Sequence, residues 1–172
     1  MIDFSSLDLY KLFVDKQAKN GSCLVFRNSG NDKAIVTLTA LFNVARQVVR
    51  LYSGAMDPEI TSNDEYKKAV ENFLGRGGMI KLMLEKQPKT VSPVLEVIKE
   101  YEGKNSEQVK IKCPVGKVLK YQDGFIHLAT FDETGYRLEI IPELHIAEVC
   151  FNNPEKVKRF NKVFDQVFTS VK

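Results

Sequence analysis

The sequence predicts an α/β domain with a mixed, largely parallel central sheet and helices on both faces. Three observations carry this. Strand-like and helical segments alternate through the first two thirds of the chain, a polar turn then joins two alternating runs, and a strongly amphipathic helix closes the chain. Alternation of β and α segments implies crossovers and parallel strands, and a hairpin adds antiparallel ones. The 172 residues fit one such core, with the N-terminal helix, residues 1–21, either appended to it or packed on it.

"SSLDLYKLFVDKQAKNG" opens on serine caps and stops at Asn20-Gly21, with Leu9, Leu12 and Phe13 as its expected apolar face. The strand-like "SCLVFR" leads through "NSGND" to a helix capped by Asn31 or Asp32, in which Ile35, Leu38, Leu41, Phe42 and Ala45 recur at helical spacing. "VVRLYSG" is a compact strand ended by Gly54, and "SGAMDPEITSND" reads as a loop. Asn63 or Asp64 caps the next helix, striped by Tyr66, Ala69, Val70, Phe73 and Leu74 and ended by Gly75, Gly77 and Gly78.

"MIKLMLEK" is apolar enough for burial on both faces. Ser92 and Pro93 open a further helix. "EQVKIKCPVGK" alternates Val109, Ile111 and Cys113 with Lys110 and Lys112. "GFIHLATFD" and "GYRLEIIP" flank the turn Asp132-Glu133-Thr134, a hairpin signal. "HIAEVCF" adds a strand, and Asn152-Asn153-Pro154 starts the closing helix with Val157, Phe160, Phe164, Val167, Phe168 and Val171 on one side.

The charge balance, 25 basic against 22 acidic residues, lacks the concentrated basic stripe of a dedicated nucleic-acid binder. Cys23, Cys113 and Cys150 fall in no zinc-site spacing and read as free thiols. No basic leader precedes an apolar stretch, and no apolar run reaches about 18 residues. The expectation is a cytoplasmic protein without membrane contact, cofactor or metal, Asp57 and Glu59 being too few carboxylates to hold one.

"VVRLYSG", "YKKAVENFLGRGGMIKLMLEK", "FIHLATFDETGYRLE" and "VCFNNPEKVKRFNKVFDQVF" together resemble a phospholipase D-like domain, over roughly residue 31 to the C-terminus. The resemblance implies a strand bearing a histidine-x-lysine pair, two copies of which make one phosphodiester-cleaving site. Residues i and i+2 of a strand point the same way, so imidazole and ammonium converge on one phosphate. Here His127 is followed at that offset by Ala129, and His145 by Ala147. A single module would also have to form a homodimer to pair two histidines.

Arg137, across the hairpin from His127, is the cation that can stand in for the lysine, and Glu139 on the same face can pair with it. Tyr136 beside it joins the expected ligand-binding set, with Ser53 and Gly54 at the end of a sheet strand, where open α/β sheets bind ligands. "GRGG" ends a helix instead of opening one, so it is a cap and no phosphate loop. Lys110, Lys112, Lys117 and Lys120 form a local basic run that either tracks a nucleic-acid backbone or protects a sheet edge.

The resemblance therefore implies a phospholipase D-like module working by binding, with a phosphate-bearing ligand such as a nucleotide or nucleic acid. Small divergent members point to recognition or regulation in prokaryotic defence or stress. Two alternatives stand beside it: a metal-independent homodimeric phosphodiesterase or nuclease using His127, and a protein–protein adaptor.

Overall fold

A computed structural model describes residues 5–114 and 116–172. Six α-helices are described: α1 (Leu7–Lys19), α2 (Asn31–Val44), α3 (Pro58–Thr61), α4 (Asp64–Gly75), α5 (Pro93–Lys104) and α6 (Pro154–Ser170). The strands are β1 (Phe26–Asn28), β2 (Val48–Ser53), β3 (Met79–Leu84), β4 (Val109–Lys112), β5 (Lys120–Tyr121), β6 (Gly124–Phe125), β7 (His127–Phe131), β8 (Gly135–Ile141) and β9 (Ile146–Cys150). Seven strands form the main sheet in the order β1-β9-β8-β7-β2-β3-β4, while β5 and β6 make a separate ribbon.

The mixed α/β class is as expected, but the sheet is less parallel than the alternation suggested. Among the described residues, only β2–β3 and β3–β4 pair in parallel; β2–β7, β7–β8, β8–β9 and β9–β1 are antiparallel. The physical reason is connection length. Helical crossovers through α4 and α5 give parallel pairing and the short β7–β8 and β8–β9 links allow only reversal, while the antiparallel β2–β7 and β9–β1 pairs join strands distant in the chain and follow from the strand order.

Both crossovers step the same way, β2 to β3 to β4, so the right-handed rule puts α4 and α5 on one face. There they join α2 around Leu41, Phe42, Val70, Phe73, Leu82 and Ile98, all buried. α6 covers the opposite face, where Val157, Phe160, Phe164 and Phe168 pack on Tyr52, Leu128, Tyr136 and Leu138. Asn153 caps α6 by accepting from the Lys156 N–H at 3.1 Å.

Several local expectations shift. α1 buries Tyr10 and Val14, while Leu9 and Leu12 face outward. Gly30 rather than Asn31 or Asp32 is the N-cap of α2, without a side-chain bond. The loop after β2 contains the short helix α3, capped by the Asp57 carboxylate. Ser92 precedes α5 as expected, but its hydroxyl accepts from Thr61 at 2.7 Å instead of capping. β4 ends at Lys112; Val115, within the predicted run, lies outside the described residues, as do residues 1–4.

Candidate functional site

β2 is the strand where the sheet changes sense, parallel to β3 on one side and antiparallel to β7 on the other. Its C-terminal end therefore lies beside the N-terminal end of β7, so Ser53 and Gly54 meet His127. A Cβ placed on Gly54 would lie 3.5 Å from His127 Cε1 and 3.9 Å from Glu85 Oε2. A cleft of about 470 Å³ opens there, lined by Ser53, Gly54, Asp57, Glu85, His127, Arg137, Glu139 and His145 among others. This is a usual place for ligands in open α/β sheets.

The hairpin register sets the polar centre. His127 stands opposite Glu139, and Ala129 opposite Arg137. The guanidinium thus occupies the ladder position facing the residue two after the histidine. Glu139 accepts from Arg137 Nη1 at 2.8 Å through Oε1, and its Oε2 lies 3.0 Å from His127 Nδ1. His145 Nδ1 approaches Glu139 Oε1 at 3.2 Å, and its Nε2 approaches Asp57 Oδ2 at 3.2 Å. His127 Nε2 faces Glu85 Oε1 at 3.3 Å. One buried carboxylate thereby links a guanidinium and both histidines of the chain.

Burial pushes the Glu139 carboxyl up, but hydrogen bonds from His127 and His145, with the Arg137 charge, hold it well below the usual carboxylate range. The bond to Glu139 raises the His145 imidazole above its ordinary value, against a desolvation that lowers it. Burial, more than the neighbouring Glu85, pushes the Tyr52 hydroxyl up to about 12. That hydroxyl donates to Glu85 Oε1 at 3.1 Å and accepts from the Val118 N–H at 2.9 Å. Arg137 is 6% exposed, and among the described residues its buried Nε and Nη2 have no hydrogen-bond partner.

His127, Arg137, Glu139, Ser53 and Gly54 are thus brought to one cleft, and Tyr136 is not. Adjacent strand residues face opposite ways, so Tyr136 points towards α6, with its ring on Phe160 and its hydroxyl donating to Glu148 at 2.5 Å. The lysines do not form one patch either. Lys112 Nζ donates to the Phe168 and Val171 carbonyls at 2.7 and 2.6 Å, closing the end of α6. Lys110 pairs with Glu107, Lys120 sits over the Phe125 ring, and only Lys117, 3.6 Å from Glu143, borders the cleft. The edge-strand reading suits Lys110 on β4; the backbone-tracking one loses its geometry.

Sequence reasoning left Glu85 unnamed, and weighed His145 only for the paired motif and Asp57 only for a metal. His145 adopts a left-handed conformation, φ 49°, after a short 3-10 turn at Pro142–Leu144. The usable signal was the "PELH" turn, which returns the chain beside Glu139 after six residues. Glu85 directly follows β3, and only the parallel register with β2 brings it to His127. Among the described residues, no group of three or more histidine, cysteine or carboxylate side chains is placed to hold a metal ion.

No protein-family model matches the chain, and no curated protein matches it in sequence. Solved structures do match. The phospholipase D family member Nuc from Salmonella typhimurium aligns over 87% of this chain and 96% of its own, with a TM-score of 0.60 at 11% identity. The fold is phospholipase D-like. NucT from Helicobacter pylori shares it over 86% of this chain and 98% of its own, with a TM-score of 0.54 at 11% identity. The archaeal chromatin protein TrmBL2, whose structure shows a mode of DNA binding, aligns over 96% of this chain with a TM-score of 0.61 at 16% identity. The chain spans 58% of that protein's length. Among the described residues, no helix is long and apolar enough to cross a membrane.

Proposed function

We propose that the chain is a non-catalytic recognition module that binds a phosphate-bearing ligand in the cleft at the end of β2. The observation that carries this reading is Arg137: a guanidinium in the wall of the cleft, with Nη1 fixed on Glu139 and its buried Nε and Nη2 without an acceptor among the described residues. Buried donors without acceptors are costly, and a ligand oxygen that supplies them is favoured accordingly. The DNA-binding mode of the chromatin protein and the phospholipase D family membership of Nuc are compatible with a phosphate ligand.

Catalysis is disfavoured by the histidine itself. A nucleophilic imidazole needs one free nitrogen, yet His127 has Glu139 at Nδ1 and Glu85 at Nε2. Ala129 offers no ammonium for developing charge. A thermal-shift series with mono-, di- and cyclic nucleotides tests the binding reading. A rise in melting temperature that disappears in Arg137→Ala supports it. No shift with any nucleotide leaves the protein-adaptor alternative standing.

One observation favours the enzymatic alternative: Glu139 holds His127 Nδ1 as an orienting carboxylate holds a catalytic histidine. That reading requires a homodimer pairing two His127 side chains. Cleavage of single- or double-stranded nucleic acid in EDTA, abolished by His127→Ala, would establish it and overturn the non-catalytic one.

A further inference from the structure

Two cysteines distant in the chain meet at the β1 edge of the sheet. Cys150 ends β9 and is buried, while Cys23 is exposed in residues 22–25, which join α1 to β1 outside any helix or strand. The β1–β9 ladder begins with Phe26 opposite Val149, so the chain entering β1 runs past Cys150. The Cys150 thiol points at the Ser22 carbonyl oxygen, with Sγ at 3.9 Å. In a trans peptide a carbonyl oxygen sits about 2.8 Å from the next Cα. Cys150 Sγ is therefore within about 7 Å of Cys23 Cα. A modest shift of the connecting segment brings that span to disulfide geometry. Residues 22–25 belong to no ladder, so the shift breaks no strand pairing.

The two thiols differ in a way that suits sequential oxidation. Burial pushes the Cys150 thiol up, and the nearby Cys23 sulfur adds to the rise. Cys150 is thus shielded from oxidants in solution and little ionised, whereas Cys23 is open to them. Cys113 follows β4 at the opposite edge of the seven-stranded sheet and does not compete for either sulfur.

We propose that Cys23 and Cys150 form a reversible disulfide on exposure to a hydroperoxide, and that this bond locks the α1–β1 connection onto β9. The Cys23 thiolate attacks a peroxide oxygen. The O–O bond breaks, an S–O bond forms, and water or an alcohol leaves with the thiol's proton. The sulfur is oxidised to a sulfenic acid and the peroxide is reduced. The Cys150 sulfur then attacks that of Cys23. An S–S bond forms, the S–O bond breaks, and a second water carries off the Cys150 proton. A dithiol reductant reverses the bond.

The test treats the full chain with hydrogen peroxide, alkylates the remaining free thiols and maps tryptic peptides without reductant. Cys23, Cys113 and Cys150 fall in separate peptides, residues 20–27, 113–117 and 138–156. The expected product is 20–27 joined to 138–156 in a chain that stays monomeric on a non-reducing gel. It should disappear with dithiothreitol, be absent in Cys23→Ser and Cys150→Ala, and persist in Cys113→Ser. The oxidised chain should melt at least about 5 °C above the reduced one. The exposed substitution Cys23→Ser should abolish that rise. Should Cys150→Ala not fold, the peptide map of the wild-type chain decides by itself. No joined peptide, Cys23 recovered as sulfinic acid with Cys150 alkylated, or Cys23 joined to Cys23 of a second chain overturns the proposal. A bond without the rise in melting temperature overturns the lock.

Discussion

Glu139 is 4% exposed and has three cationic or titratable neighbours, Arg137, His127 and His145. Replacing it by the isosteric glutamine leaves Arg137 buried without an anion, so Glu139→Gln should cost on the order of 3 kcal/mol in urea unfolding. His145 gives the cluster a pH dependence. Its folded pKa is raised above the ordinary value of 6.5, by Glu139 and to a lesser degree by Asp57. Its stabilisation is therefore complete below that value and is lost as pH rises through the raised one. The melting temperature should fall as pH rises above about 6.5, and His145→Asn, which tolerates the left-handed backbone, should flatten that slope. Glu139 works the other way: its lowered pKa contributes stability above the ordinary carboxylate range, lost as pH falls. A wild-type slope unchanged in His145→Asn would remove the histidine from this role.

Among the elements, the β7–β8 hairpin positions the site, and its turn anchors more than itself. Asp132, at φ 54°, accepts from the backbone N–H groups of Arg46, Gln47 and Val48 at 2.8, 2.7 and 3.0 Å. The turn thus fixes the start of β2 as well as its own register. Asp132→Ala should cost roughly 1–3 kcal/mol by denaturant unfolding, and Asp132→Asn less, since asparagine keeps one acceptor and tolerates positive φ. The end of α4 is similarly constrained. A Cβ on Gly78 would run into the buried Phe73 ring, so Gly78→Ala should destabilise by about 1–3 kcal/mol. The hairpin was legible in the sequence because alternation and a polar turn are local signals. The turn length placed Arg137 across the hairpin from His127, and the register sets it one pair further on, opposite Ala129, with Glu139 opposite the histidine. Tyr136 could have been excluded on the same grounds, because a period of two sends neighbours to opposite faces.

For the molecule as a whole, α1 is expected to be integral to the core. Tyr10 and Val14 are buried, and the Phe13 ring meets Phe26 edge-on at 5.1 Å. Removing residues 1–21 should lower the melting temperature and weaken cooperativity, as calorimetry would show; an unchanged transition would make α1 an appendage. The amphipathic pattern of α1 misled because Leu9 and Leu12 satisfy helical spacing as well as Tyr10 and Val14 do. Only the position of α2 beneath the helix chooses between the two stripes.

By itself the sequence determined the order of the longer helices and the main-sheet strands, the hairpin and the amphipathic closing helix, because periodicity and turn chemistry act over a few residues. It also determined that the residue two after His127 is Ala129 and not a lysine. The tertiary structure alone decided how much of the sheet is parallel and which stripe of α1 is buried. It also brought His145, Glu85 and Asp57 to the same cleft as His127 and Arg137. Those contacts depend on strand order and register, and they join residues up to 88 positions apart. No local pattern encodes such a separation, because it is set by the packing of the whole sheet.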